Sequence, residues 1–236
     1  MPARSVDRIL DALGGLLPPR CLLCGRRGQR PCLDLCCDCE AALPDLPASL
    51  RAGPSPLDRC YAPYVYGFPV DHLVHTLKYR GQLATGRVLG TLLAAGVEAF
   101  GLHLDVDCLV PVPLHPSRVA DRGFNQAAEI ARWAGRALGR PVMLGALCRT
   151  RDTRPQVGLK PEERQANILG AFDATAILRG RRVVLVDDVY TTGSTVAAAA
   201  AALRAAGAVF VDAWCVARAD APERLHCPIG KEAATA

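Results

Sequence analysis

Apolar positions along this chain follow two rhythms. Val183, Val184, Leu185 and Val186 form an unbroken apolar run, the pattern of a strand buried on both faces. Similar runs predict strands over 61–67 ("YAPYVYG"), 108–114 ("CLVPVPL"), 182–188 ("RVVLVDD") and 208–218 ("AVFVDAWCVAR"). Between them the spacing becomes helical. Leu73 and Leu77 share one face of a short helix over 71–81, and a second helix follows over 84–100. Ala127, Ile130, Ala131, Ala134 and Leu138 form one stripe over 123–139. The alanine-rich run 194–207 reads as a helix ended by Gly207. Strands alternating with helices predict an α/β fold with a mainly parallel sheet covered on both faces.

The first part of the chain breaks this rhythm. Residues 1–60 are rich in Cys and Pro, and 43–60 ("LPDLPASLRAGPSPLDRC") reads as a linker. The expected division is an N-terminal unit over 1–60, an α/β domain over 61–222 and a tail over 223–236. "MPARSVDRILDALGGLLPP" carries Asp7 and Asp11 within its apolar stretch, so it reads as an amphipathic helix and not a signal peptide. No apolar run reaches the roughly 18 residues of a membrane helix, and a cytoplasmic location is expected. Half of the 236 residues are hydrophobic, ample for a buried core, and the net charge of +5 suits phosphate ligands without implying nucleic acid.

Of 11 cysteines, seven lie between Cys21 and Cys60. Clustering in a cytosolic chain points to metal rather than disulfides. Cys21 and Cys24, then Cys36 and Cys39, form two C-x2-C pairs separated by eleven residues. Four thiolates so spaced suit a closed tetrahedral zinc site with a structural role. Cys32 and Cys37 are extra, and Cys108, Cys148 and Cys215 read as core thiols. The five histidines show no metal spacing.

"VVLVDDVYTTGST" (183–195) carries the chemistry. Asp187 and Asp188 fall at the C-terminal edge of a strand, where open α/β sheets bind ligands. The loop that follows feeds a helix N-terminus. Backbone amides of Thr191, Thr192, Gly193, Ser194 and Thr195, with their hydroxyls, can form an anion nest there. Gly193 permits the tight turn. A carboxylate pair beside a phosphate nest describes a ribose 5-phosphate. The alternative, a helix cap and a polar turn, accounts for one Asp and one Thr but not the whole order.

That segment resembles the phosphoribosyl pyrophosphate (PRPP) motif of type I phosphoribosyltransferases. The resemblance implies that Asp187 and Asp188 hold the ribose hydroxyls as the catalytic pair, within a PRPP-binding run that includes Val189 and Tyr190. It implies that Thr191 to Thr195 bind the 5-phosphate. It also implies a Rossmann-like parallel sheet, Mg2+, and displacement of pyrophosphate at the anomeric carbon. "HTLKYRG" (75–81), "VPVPLHPSRVADRGFNQ" (110–126) and "RTRDTRPQVGLKPEERQANILGAF" (149–172) further resemble the ComF family, phosphoribosyltransferase-like proteins linked to DNA uptake in natural competence. With the cysteines, that resemblance covers nearly the whole chain.

The loop after strand 108–114 holds Pro113, Leu114, Arg118 and Arg122, and in the fold a loop here contacts pyrophosphate. Arginine suits phosphate oxygens because it offers paired donors; surface ion pairs are the alternative. Asn125 and Gln126 either cap a helix or orient this loop. The charged stretch 149–167, with Arg149, Lys160 and Arg164, has the length of a lid, and the fold usually has one; a solvated loop is the alternative. Lys78 either reaches a phosphate or lies along its helix. Purine-salvage relatives of the fold carry an aspartate three residues after the acidic pair, where this chain has Thr191, which argues against a 6-oxopurine acceptor.

Two functions follow from the resemblance. One is an enzyme transferring a phosphoribosyl group from PRPP to an unidentified base. The other is a PRPP sensor whose zinc ribbon, through Arg20, Arg26, Arg27 and Arg30, docks a DNA-uptake helicase or single-stranded DNA. Those arginines form a solvated face in the bland alternative.

Overall fold

The computed structural model describes residues 20–28, 34–46, 57–151 and 170–219. The expected N-terminal helix and C-terminal tail, most of the linker and most of the lid, with Cys32, Arg30, Lys160 and Arg164, lie outside these residues.

The main sheet has five strands: β1 (Arg59–Tyr61), β2 (Tyr64–Val65), β3 (Cys108–Pro111), β6 (Arg182–Tyr190) and β7 (Phe210–Arg218). Its order is β1-β7-β6-β3, with β2 pairing further along β7, and every pairing is parallel. The apolar run reads as expected: Val184 and Val186 face one core and Val183 and Leu185 the other. Trp214 and Val216 join the first core, Ala213 and Cys215 the second.

Helix α1 (Cys37–Ala41) belongs to the cysteine-rich segment. Helices α2 (Val70–Arg80), α3 (Leu83–Ala99) and α5 (Gln126–Leu138) cover the first face through Leu73, Leu77, Leu89, Leu93, Ile130 and Ala134. Each such fully buried Leu or Ile contributes roughly 1.5–3 kcal/mol. A Cβ on Gly90 would stand 2.6 Å from the Ile130 carbonyl oxygen and from the Trp133 Cβ, so α3 and α5 meet at backbone distance. Helix α6 (Ser194–Ala205) covers the other face through Val196, Ala199, Ala200 and Leu203.

Several expectations need correction. The strand expected over 61–67 is two short strands, and the boundary after residue 60 falls inside β1. Cys60 is therefore buried in the sheet core with Cys108 and Cys215, apart from the group of Cys21, Cys24, Cys36 and Cys39. The strand over 108–114 ends at Pro111. The loop expected around Arg118 is instead helix α4 (Pro116–Arg122), with Pro116 at its first turn and Gly123 past its end. His115 caps it: its Nδ1 accepts from the Ser117 amide at 3.3 Å and lies 2.8 Å from the Ser117 hydroxyl. A hairpin of β4 (Leu147–Arg149) and β5 (Phe172–Ala174) flanks the expected lid. Three-residue strands carry too few positions for a period. Cys148 is the outward residue of β4 and is exposed, so it is no core thiol, whereas Cys108 and Cys215 are buried.

The cysteine-rich segment is packed into the same body. Cys21, Leu35, Cys36 and Leu43 lie in one cluster with Leu73, Leu89 and Trp214.

Candidate ligand site

Strand β6 runs on to Tyr190, so Asp187 and Asp188 sit three and two residues before its C-terminal end. Alternation sends their side chains to different surroundings: Asp187 is half-buried and Asp188 buried. The Asp188 amide donates to Asp187 Oδ1 at 2.9 Å. Burial, then the adjacent Asp188, pushes the Asp187 carboxyl well above the ordinary carboxylate range. On the other side, Lys78 from the last turn of α2 forms an ion pair with Asp188 Oδ2. Burial works against the Lys78 charge, but Asp188 and then Asp187 outweigh it and hold the ammonium above its ordinary range.

After Tyr190 the chain turns through Thr191 and Thr192 to Gly193, which caps α6 with φ 77° and ψ −5°. That left-handed conformation favours glycine. A Cβ there would also stand 2.3 Å from the Tyr190 hydroxyl oxygen. The loop is thus folded back against the ring of the residue that ends the strand. The Thr192 and Ser194 hydroxyls are 2.9 Å apart. The first-turn amides of a twelve-residue helix open onto this side.

A cavity of about 270 Å³ brings most of the expected residues together. Asp187, Asp188, Val189, Thr191, Gly193 and Thr195 line it together with Lys78, Pro113, Leu114, Arg118 and Arg149. Tyr190, Thr192 and Ser194 do not line it. Arg149 is buried on β4, with its guanidinium 5.6 Å from the Phe172 ring centroid, so it is part of the hairpin. Arg122 does not join the cavity: it donates to Gln126 Oε1 and lies 5.7 Å from the Tyr79 ring centroid. It lines a neighbouring cavity of about 330 Å³ with Tyr79, which shares Lys78 and Arg118 with the first.

Gln126 and Val112 also line the main cavity. Only Gln126 had a signal in the sequence, a polar residue opening an apolar stripe. Asn125 meets both readings given for it: its Oδ1 accepts from the Ala127 amide at 2.9 Å, and its Nδ2 donates to the Val112 carbonyl at 3.0 Å. It caps α5 and ties it to the loop after β3.

A second centre lies in the cysteine-rich segment. The Sγ atoms of Cys21, Cys24, Cys36 and Cys39 all lie within 4.8 Å of one another. Gly25 (φ 73°) closes the first knuckle, with its amide donating to the Cys21 carbonyl at 2.8 Å. Arg26 reaches Cys24 Sγ at 3.5 Å and lowers that thiol to about 6. Arg26 also pairs with Asp38 at 2.7 Å. The set can hold a metal ion; Cys37 stands outside it and is exposed. No described helix is long and apolar enough to cross a membrane.

Comparison with known proteins accords with this arrangement. A phosphoribosyl transferase domain matches residues 119–227, which carry β6, the acidic pair and the loop onto α6. The chain is 35% identical over 207 residues to DNA utilization protein YhgH of Escherichia coli strain K12, spanning 84% of this chain and 89% of that one. It is 34% identical over 159 residues to competence protein F of Haemophilus influenzae, spanning 64% of this chain and 69% of that one. Among solved structures, the glutamine PRPP amidotransferase from B. subtilis complexed with ADP and GMP aligns with 54% of this chain and 25% of that one, at 25% identity and a TM-score of 0.38.

Proposed function

This chain belongs to the ComF family, with DNA utilization protein YhgH and competence protein F, and from that membership we propose that it binds PRPP and transfers its phosphoribosyl group in the service of DNA utilization. The observation that supports this reading is one cavity holding a carboxylate pair and a glycine-turned helix N-terminus side by side.

In this reading Asp187 and Asp188 accept hydrogen bonds from the two ribose hydroxyls. The amides and hydroxyls from Thr191 to Thr195 hold the 5-phosphate, which the α6 dipole favours. Arg118, Arg149 and Lys78 face the diphosphate. The anomeric carbon–oxygen bond to diphosphate breaks while a bond to the acceptor forms. The carboxylates stabilise the positive charge that develops on the ring, so positioning and electrostatics act without a covalent nucleophile. The Asp187 carboxylate oxygens are hard donors of the kind magnesium takes, while Asp188 is paired with Lys78, so the residues would fit that ion when the diphosphate brings further oxygens. Magnesium supplies charge neutralisation of the departing diphosphate. Zinc is the metal we assign to the four thiolates, as a structural ion. We place the phosphoribosyl-binding domain from β1, which begins at Arg59, to residue 222, and the protein in the cytoplasm.

Thr191 lines the cavity where purine-salvage relatives of the fold carry a carboxylate. This favours either an acceptor other than a 6-oxopurine or a second reading, a PRPP sensor whose cysteine-rich segment engages a helicase or single-stranded DNA.

Calorimetry with PRPP and Mg2+ tests binding. The wild type should bind, and the Asp187→Asn, Asp188→Asn double variant should not, with its circular dichroism unchanged. Undiminished affinity in the double variant would overturn the ribose assignment. A screen of bases for diphosphate release then separates enzyme from sensor.

A further inference from the structure

The acidic pair carries its own cation. Lys78 forms an ion pair with Asp188, and the two side chains are only 23% and 6% exposed. The lysine comes from α2, outside the matched residues 119–227, so the cation and the acidic pair belong to different parts of the chain. Leu73, Val74 and Leu77 anchor α2 in the core, which fixes the base of the side chain. Lys78 lines two cavities, one holding the acidic pair and the other shared with Arg118 and Arg122. It can therefore leave the carboxylate for an arriving anion without opening the core.

A divalent ion at Asp188 would have to sit against this ammonium or displace it. Like charges so close in a largely buried place disfavour each other strongly. We propose that Lys78 holds the cation position at Asp188, so that the ligand-free pocket excludes a divalent metal and the metal enters only on the diphosphate of the phosphoribosyl donor. The second half of this assignment rests on the PRPP reading above; the first half does not. It also gives the donor an order of events. The incoming diphosphate draws the ammonium away, which frees Asp188 for a ribose hydroxyl. A ribose without a diphosphate lacks that lever. By linkage, metal and ammonium each weaken the other at the carboxylate by the same factor.

The test uses the full-length, zinc-loaded protein and Mn2+ alone, followed by electron paramagnetic resonance without PRPP. The wild type and Lys78→Arg should show no Mn2+ at the acidic pair. Lys78→Met and Lys78→Gln should each gain one Mn2+ site, tighter by about tenfold or more, within the usual range of site coupling. Adding Asp188→Asn to Lys78→Met should remove the gained site. Adding PRPP to the wild type should recruit Mn2+. The assignment is overturned if the wild type binds Mn2+ as tightly as Lys78→Met, or if the gained site survives Asp188→Asn. If the lysine variants gain Mn2+ as described but PRPP recruits none to any protein, metal exclusion by Lys78 stands and the donor reading falls.

Discussion

Arg87 on α3 donates from its Nε to Asp34 Oδ2 at 2.9 Å, joining residues 53 positions apart. The pair ties the cysteine-rich segment to the helical face of the sheet. Arg87 also lies 5.7 Å from the Trp133 ring centroid on α5. Asp34 is buried, so removing its partner leaves a desolvated charge. We predict that Asp34→Ala and Arg87→Ala each lower stability by about 1–3 kcal/mol. The double variant should lose much less than the sum in urea denaturation. Fully additive losses would show that the contact contributes nothing.

Metal removal should reach the whole chain. Cys21 and Cys36 share a core with Leu73, Leu89 and Trp214, so the thiolate cluster is no separate appendage. Elemental analysis should find one zinc per chain, lost in Cys21→Ser or Cys39→Ser. Chelation should lower the midpoint of the main thermal transition, as expected when metal binding is coupled to folding. A main transition unmoved by chelation would contradict this.

Gly193 should tolerate no side chain. Alanine there faces a left-handed backbone costing roughly 1–2 kcal/mol. It also meets the Tyr190 hydroxyl oxygen at 2.3 Å and its ring carbon at 2.8 Å. Gly193→Ala should weaken PRPP binding more than about tenfold, because the loop amides lose their aim. Tyr190→Phe in the same chain should restore part of the loss, since only one of the two contacts is relieved. Calorimetry of the single and double variants decides.

Asp212 gives a pH signature away from the cavity. Burial raises its carboxyl from 3.8 to about 6, although Arg59 pairs with it at 2.8 Å and pulls the other way. The folded chain therefore holds a proton that the unfolded chain has released between these values. Stability contributed by this group falls as pH rises from about 4 to about 6, by on the order of 1–3 kcal/mol. Asp212→Asn should lack that fall, so the difference between variant and wild type should shift in favour of the variant across the window. Parallel stability profiles for the two proteins would refute the assignment.

Much of the site was legible because its residues are consecutive. Val183 to Val186 announced a doubly buried strand, and Asp187 to Thr195 followed in one line. The four clustered cysteines were legible for the same reason, as two spaced pairs. The ion pair of Lys78 with Asp188 was not, since it joins two elements that only the packing of α2 against the sheet brings together. Arg118 and Arg122 looked equivalent in sequence. Helix α4 sets them one turn apart on one face, so both line the neighbouring cavity while only Arg118 reaches the main one. The β4–β5 hairpin was hidden by its short strands and the long stretch between them.

Strand β1 pairs with β7, so Arg59 meets a partner, Asp212, 153 residues further along. A ribosome adding about 5–20 residues per second needs on the order of ten to thirty seconds to cover that interval. Throughout it, β1 is synthesised but unpaired, beside a cluster of reduced thiols. The nascent chain can close its cysteine knuckles early, whereas the sheet waits for β7, the last of the described strands in chain order. Delayed or truncated synthesis would leave an open strand edge beside the cysteine-rich segment, a state in which holdase chaperones have most to protect.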